Sequence, residues 1–362
     1  LPFREVFKIS RGAVGSPDEG APHVYVRLVT DTGIEAWGEG RPSHRWSYET
    51  LESVVTTIRH YLAPALAGVE LWDLAAVHRA MDTMIAPGIS VGAPVAKCAV
   101  DMAIHDALAK AAGVPLCLLL GGRATPTIPL SYIVSVESAQ EAERLAARAW
   151  EQGFRGFKVK VGAHPRRDLE ILRAVRTTCP DAYLWADANQ GYDSSTAAIQ
   201  ASRMEAIGVD MLEQPCPAND WNGLRRIASQ SALPIAVDES VFSAADLLQL
   251  FRLDAVDALV IKVAKSAGIY RSHLAARIAR EAGLGLLGSG LTESRLGLAA
   301  SVHLFSAVGG VAFADLNGPQ FLADDPIAGG IDVQPGVAAV PEGPGIGVTI
   351  DPDRLARYRR AE

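Results

Sequence analysis

Cysteine is scarce and scattered: Cys98, Cys117, Cys179 and Cys216 are the four in the chain, and no two form a Cys-x-x-Cys pair. That spacing excludes a dense disulfide framework and a thiolate metal cage. It fits a reducing compartment in which buried cysteine serves as a small hydrophobe. No uninterrupted apolar run reaches membrane-span length, and no charged-then-apolar leader opens the chain. A soluble cytoplasmic protein with no membrane partner is expected. The first residue is Leu1 rather than Met, so a short start is expected to precede it. Basic runs are also missing. With a formal net charge of −7 and a pI of about 5.7, a nucleic-acid partner is not expected. A dinucleotide fingerprint is absent as well. The ladder Gly343-Pro344-Gly345-Ile346-Gly347 lies near the C-terminus among prolines and opens no helix.

What is present suffices for a large folded unit, with 49% hydrophobic and 21% charged residues over 362 positions. His23–Thr30 and Gly33–Gly38 alternate apolar and polar residues around a turn at Asp31-Thr32-Gly33, a hairpin signal. Tyr48–Leu62, Leu71–Met84 and Ala93–Ala112 then carry helical spacing, the last stopping at Gly113 with Pro115 beyond. Residues 1–126 therefore read as an α+β capping domain. From Thr127 onward, short strand-like runs alternate with amphipathic segments. The runs are Pro129–Val134, Gly156–Val161, Tyr183–Asp187, Asp210–Glu213, Ile235–Asp238, Leu259–Lys262, Gly285–Gly288 and Val311–Leu316. Eight such runs predict an α/β fold with a TIM-like barrel over residues 127–317. The Gly- and Pro-rich residues 318–362 read as a return segment packing on the capping domain.

Charged residues close five consecutive strands. Lys160, Asp187, Glu213, Asp238 and Lys262 stand one strand–helix unit apart, so the barrel brings them to one mouth, where such folds build their sites. A single acid at a strand end is more often a cap or an ion-pair partner, and a Lys-x-Lys pair is more often a solvated face. Five in phase with the repeat are a different matter. Clustered carboxylates repel and are costly to bury unpaired. An all-oxygen set favours Mg²⁺ over Zn²⁺. A metal and a lysine ammonium can stabilise the enediolate formed when a proton leaves the carbon beside a carboxylate.

Lys158-Val159-Lys160, Asp187-Ala188-Asn189-Gln190-Gly191-Tyr192, Glu213-Gln214-Pro215, Asp238-Glu239-Ser240 and Lys262-Val263-Ala264-Lys265-Ser266-Ala267-Gly268 resemble the enolase superfamily, and within it the muconate lactonizing enzyme subgroup. The resemblance spans nearly the whole chain, with the motifs in the family's order. It implies a modified (β/α)7β barrel. It also implies Mg²⁺ on Asp187, Glu213 and Asp238, with Lys160 and Lys262 on opposite faces of the substrate α-carbon. Lys158 would polarise the substrate carboxylate and depress the pKa of Lys160. Glu239 would support Lys262 or the metal ligands from behind. Lys262 separates the chain from the mandelate-racemase-like branch, which takes its second base from a histidine on the seventh strand.

Asp101, His105 and Asp106 share a helix face, but their apolar, alanine-rich surroundings favour a structural role. His303 reads the same way. Lys265 suggests a loop anchor or a substrate contact. By the resemblance, specificity lies in the Gly12–Gly20 loop, in Arg41–Tyr48 with His44, Arg45, Trp46 and Tyr48, and at the last strand ends. Trp46, Tyr48, Asn189, Glu293, Asp315 and Asn317 are the candidate substrate contacts. Dipeptide epimerases of the family carry Asp-x-Asp where this chain has Asp315-Leu316-Asn317. That substitution leaves a cationic amino-acid derivative as the expected small-molecule carboxylate. Racemisation or epimerisation of an N-modified amino acid, proline-betaine-like, is the leading expectation. Muconate-type cycloisomerisation and o-succinylbenzoate-synthase-like elimination follow. A catalytically silent binding barrel is the alternative from another class. Relatives assemble as octamers or dimers, so a homo-oligomer is expected.

Overall fold

From Ser131 onward each strand is too short and too apolar to stand alone, and each following helix offers one apolar stripe to cover it. The computed structural model describes residues 1–88 and 90–360. Its barrel strands are β1 (Ser131–Val134), β2 (Gly156–Lys160), β3 (Tyr183–Asp187), β4 (Met211–Glu213), β5 (Ile235–Val237), β6 (Ala258–Ile261), β7 (Gly285–Ser289) and β8 (Val311–Asp315). They pair in parallel and in chain order, and a bridge from Leu130 to Ala314 joins the last strand to the first. Closure leaves no free sheet edge. All four β6 residues are buried, as parallel strands covered on both faces require.

The helix Ala139–Gln152 shows how a unit is built. Ser138 Oγ accepts from Glu141 N at 3.2 Å to start it, and Gly153 at φ +112° ends it. Its buried residues Ala142, Ala146 and Ala149 form a narrow stripe that lets the helix approach the sheet closely. Inside the barrel, Trp185, Met211, Ala236, Ala258, Val260 and Leu287 form a separate apolar floor. Strand periodicity puts that floor one layer beneath Asp187, Asp238 and Lys262, so the site stands on a packed core.

In the N-terminal region, Val24–Val29 pairs antiparallel with Glu35–Gly40, two residues later than the expected second strand. The helix Pro94–Ala111 lies against this hairpin so closely that a Cβ on Gly38 would stand 2.0 Å from Ala99 O. Glu49 caps that helix by accepting from Val95 N and Ala96 N. The helix expected over Tyr48–Leu62 is broken into an α-helix Leu51–Thr57, a π turn Ile58–Leu62 and a short α-helix Ala63–Leu66. Pro64 cannot donate to the preceding turn, and the wider turn absorbs that missing bond.

After β8 the chain makes the single turn Gly318–Phe321 and returns across the N-terminal region. Val337–Ala339 pairs with Thr127–Pro129, Leu322 bridges Phe3, and Gly345 bridges Pro115. Among the described residues no helix is long and apolar enough to cross a membrane.

His303, on the helix Arg295–Val308, locks this return segment. Its Nδ1 accepts from Cys117 N at 3.2 Å, so Nε2–H donates to Ile346 O at 3.1 Å. Burial pushes its pKa down to about 4. A histidine held neutral contributes stability above its unfolded pKa of about 6.5 and loses it as pH falls towards 4. Urea unfolding should therefore show a pH-dependent loss of up to about 3 kcal/mol between pH 7 and pH 4 that is smaller in His303→Gln. An identical pH slope in the variant would refute this assignment.

Candidate active site

Alternate residues of a strand share a face, so Lys158 and Lys160 both enter the barrel while Phe157 and Val159 pack outward. Asp187 and Glu213 end β3 and β4, whereas Asp238 and Lys262 fall one residue beyond β5 and β6. All six meet at the C-terminal mouth. Lys158 Nζ lies 3.0 Å from Asp187, 2.9 Å from Glu213 and 2.6 Å from Asp315. Lys160 Nζ donates to Asp187 at 2.6 Å and to Asn189 Oδ1 at 3.0 Å. Lys262 Nζ donates to Asp238 at 2.7 Å.

These contacts set the electrostatics. Burial opposes a charge on Lys158, but Asp187 and then Asp315 override it and raise its pKa well above the usual lysine range. Lys262 is raised in the same way by Asp238. Asp187 and Asp238 are held low by their lysines against the cost of burial. Glu213 differs. Burial and the charge on Asp187 push it well above the carboxylate range, its Oε1 has no partner, and Lys158 stands near Oε2 outside hydrogen-bond geometry. Among the described residues no three carboxylate, imidazole or thiol groups already surround one point at metal distance. Ammonium groups provide the positive charge between the acids.

Two supporting residues matter more than their motifs suggested. Lys265 Nζ donates to Asp238 Oδ1 at 2.8 Å, to Asp238 O at 2.7 Å and to Val260 O at 2.8 Å. It is a buried anchor that fixes Asp238 and is not part of the lining of the cavity described below. Gln214 adopts a left-handed backbone (φ +37°) and accepts from Asp238 N and Ser240 N, which holds the loop after β5. Glu239 accepts from Asn189 Nδ2 at 3.2 Å, so it reaches Lys160 through Asn189 and has no hydrogen bond to Lys262.

Lys158, Lys160 and Lys262 line one cavity together with Asn189, Asp315 and Asn317, and with Trp46 and Arg41 from the N-terminal region. Trp46 is in place, but the cation over its ring is the chain's own Lys262, 4.1 Å away. Tyr48 is not there. It is exposed and its Oη pairs with Ser90 Oγ at 2.5 Å, because the chain turns outward just before the helix that starts at Leu51. Glu293 also misses the cavity. It folds back to accept from Leu291 N at 2.7 Å, and burial together with Glu39 pushes its pKa up to about 7. Asp315 reaches the cavity already engaged by Lys158, Ser289 Oγ and Gly290 N. Arg41 opens the Arg41–Tyr48 segment to which the sequence assigned specificity, but it was not among the expected substrate contacts, and it lines the cavity.

Asp101, His105 and Asp106 lie outside the site. Asp101 accepts from His78 Nε2 and from Ile269 N, capping the helix Ile269–Glu281 that follows the Lys262–Gly268 loop.

With this geometry in view, two family profiles match the chain: "Mandelate racemase / muconate lactonizing enzyme, N-terminal domain" over residues 3–121 and "Enolase C-terminal domain-like" over residues 141–354. The chain belongs to the mandelate racemase/muconate lactonizing enzyme family of the enolase superfamily. Chloromuconate cycloisomerase of Cupriavidus necator is 32% identical over 339 residues, 92% of this chain and 90% of that protein. N-succinyl-L-Arg/Lys racemase of Bacillus cereus is 30% identical over 357 residues, 98% of this chain and 94% of that protein. The racemase crystal structure superposes with a TM-score of 0.93, covering 100% of this chain and 95% of that one. The dipeptide epimerase of Cytophaga hutchinsonii, solved with Mg and D-Ala-L-Val, superposes at 0.92 with 31% identity, over 99% of this chain and 95% of that one. These family members are isomerases, and this chain is an enzyme of that class.

Proposed function

We propose that this enzyme moves the proton on the carbon beside a substrate carboxylate, and that its net reaction is racemisation or epimerisation of an N-acylated amino acid. The observation that carries the reading is the pair Lys160 and Lys262. They come from separated strands, line one cavity, and each has its own buried carboxylate.

Asp187, Glu213 and Asp238 are the residues that would hold Mg²⁺. Three fully buried carboxylates, one with an unpartnered oxygen, fit a hard cation with oxygen ligands. When bound, Mg²⁺ would supply positive charge for the substrate carboxylate and for the enediolate formed from it. Lys160 or Lys262, as the free amine, takes the α-proton. Lys158 keeps its charge among its acidic neighbours and stabilises the second negative charge of the enediolate. The opposite lysine, as ammonium, returns a proton to the other face and inverts the centre. Asn189 and Glu239 orient Lys160, while Lys265 fixes Asp238.

A betaine loses its support, because Asp315 is already paired with Lys158 and Glu293 lies off the cavity. Cycloisomerisation of a muconate is the second reading, favoured by the 32% identity to the C. necator enzyme. The deciding experiment follows α-protons by NMR in D₂O with Mg²⁺ and a panel of N-acyl amino acids, dipeptides and cis,cis-muconate. Exchange with appearance of the opposite configuration is the expected result. Lactone formation without exchange would replace it with the cycloisomerase reading. Silence with no effect of Mg²⁺ on the melting temperature would mean a binding barrel.

A further inference from the structure

Lys262 leads into residues 263–268, all buried, and then into the helix Ile269–Glu281. Lys265 anchors the near end of this loop on Asp238 and Val260. At the far end Gly268 stands at the helix cap and offers no side chain to the first N–H groups. Asp101, from the helix Pro94–Ala111 of the N-terminal region, takes that part. Its fully buried carboxylate accepts through Oδ2 from Ile269 N and, at 3.4 Å, from Tyr270 N. A Cβ on Gly268, which sits at φ +112°, would stand 2.2 Å from that same oxygen. Burial opposes the charge on Asp101, but His105 and then His78 hold its pKa well below the usual carboxylate range. It is a charged acceptor at a helix N-terminus, the stronger form of such a bond.

The next two residues are held from the same side. The Tyr270 ring stacks on His78 with centroids 4.4 Å apart, and Arg271 pairs with Asp82. His78 and Asp82 stand one turn apart on the helix Leu74–Met84, and His78 Nε2 donates to Asp101 Oδ1 at 2.9 Å. Three consecutive residues of one turn are thus gripped by two helices of the N-terminal region. The loop after Lys160 is fastened from within the barrel instead, where Asp168 accepts from Gly162 N at 3.0 Å and from Tyr192 Oη at 2.7 Å. The N-terminal region meets the Lys160 side with a different segment, through Phe7 and through Ser10, whose Oγ donates to Asn189 O at 2.9 Å.

We propose that this grip makes Asp101 a positioning residue for Lys262: by holding the first turn of the helix Ile269–Glu281 it fixes the loop that aims this lysine, and it leaves Lys160 to other supports. The inference rests on the proposed function in giving each lysine one face of the α-carbon. Asp101 is not part of the cavity lining, so its influence on the reaction passes through the loop.

Three variants test it. Asp101→Ala removes the acceptor, Asp101→Asn keeps one acceptor oxygen without the charge, and Arg271→Gln cuts the outer grip. The last should fold, because Asp82 keeps Lys97 at 2.9 Å. Initial rates of α-proton exchange in D₂O with Mg²⁺ are measured on the separated D and L forms of N-acetyl-alanine, N-acetyl-methionine and Nα-acetyl-lysine. The enantiomer that Lys160→Ala still exchanges is the one Lys262 serves. Asp101→Ala should slow that enantiomer roughly ten- to a hundredfold and the other by less than about twofold, the size of effect a small misplacement of a reacting group produces. Asp101→Asn should recover part of the loss, and Arg271→Gln should show the same bias at about two- to fivefold. Equal slowing of both enantiomers, or of neither, overturns the positioning role. Should Asp101→Ala fail to fold, Asp101→Asn and Arg271→Gln carry the same comparison, and an unbiased pair overturns it. Amide hydrogen exchange of the Mg²⁺-loaded protein, read by mass spectrometry, needs no substrate. The variants should exchange faster over residues 262–270 and match the native protein over 156–162. Unchanged protection at 262–270 overturns the role even where α-protons exchange. Loosening at 262–270, in a protein whose native form exchanges no α-proton of any probe, leaves the grip standing and sinks the proton chemistry.

Discussion

Lys160→Ala and Lys262→Ala should each slow interconversion of enantiomers by roughly 10³- to 10⁴-fold, yet each should spare a different half-reaction. If the two amines face opposite sides of the α-carbon, either variant keeps one base. It can still exchange the α-proton of the enantiomer whose hydrogen points at the surviving lysine. The two variants should therefore show opposite enantiomer preferences in D₂O exchange, measured on separated enantiomers. Lys158→Ala should lose exchange with both, because its charge serves the enediolate whichever face reacts. Both single variants are expected to fold. Asp187 keeps Lys158 when Lys160 is lost, and Asp238 keeps Lys265 when Lys262 is lost. Loss of exchange with the same enantiomer in both variants would leave one base, and racemisation would have to be abandoned for the cycloisomerase reading.

The residues that could be read from the sequence are those whose position follows from the barrel repeat. Lys160, Asp187 and Glu213 each end a strand and Asp238 and Lys262 each follow one by a single residue, and parallel strands in register deliver their ends to one mouth whatever the loops do. Side chains on connections obey no such period. Tyr48 and Trp46 are two residues apart, yet one is exposed and the other is buried over Lys262, because the backbone between them is already turning towards the cap of a helix. Glu293 was placed in the mouth by its position after β7, but the tight turn at Leu291–Glu293, with Thr292 at φ +67°, folds its carboxylate back on the main chain. Arg41 joins the cavity only because the hairpin end at Gly40 and the short strand Gly12–Gly15, whose Val14 O accepts from Arg41, bring it beside the barrel lysines. Lys158 holds its charge because the acids packed around it, Asp187 first, outweigh the cost of its burial and raise its pKa.

Glu213 and Asp238, equally buried, should respond oppositely to neutralisation, and this contrast tests the metal assignment without any substrate. Asp238 carries two buried lysines, so Asp238→Ala leaves Lys262 and Lys265 without their counter-ion and should cost about 3–5 kcal/mol in metal-free urea unfolding. Glu213 favours its protonated form because burial and Asp187 both oppose its charge. Glutamine reproduces that neutral shape, so Glu213→Gln should match or exceed the native stability in EDTA. The order should change when Mg²⁺ is added. A cation that binds only the folded state stabilises it in proportion to its occupancy. Native protein should therefore gain in melting temperature while Glu213→Gln gains little, having lost one of three charged ligands. If Glu213→Gln falls as far as Asp238→Ala in EDTA, Glu213 is an ordinary partner of Lys158. If it still responds to Mg²⁺ like the native protein, the cation is held elsewhere, and Asp187, Glu213 and Asp238 are no metal site.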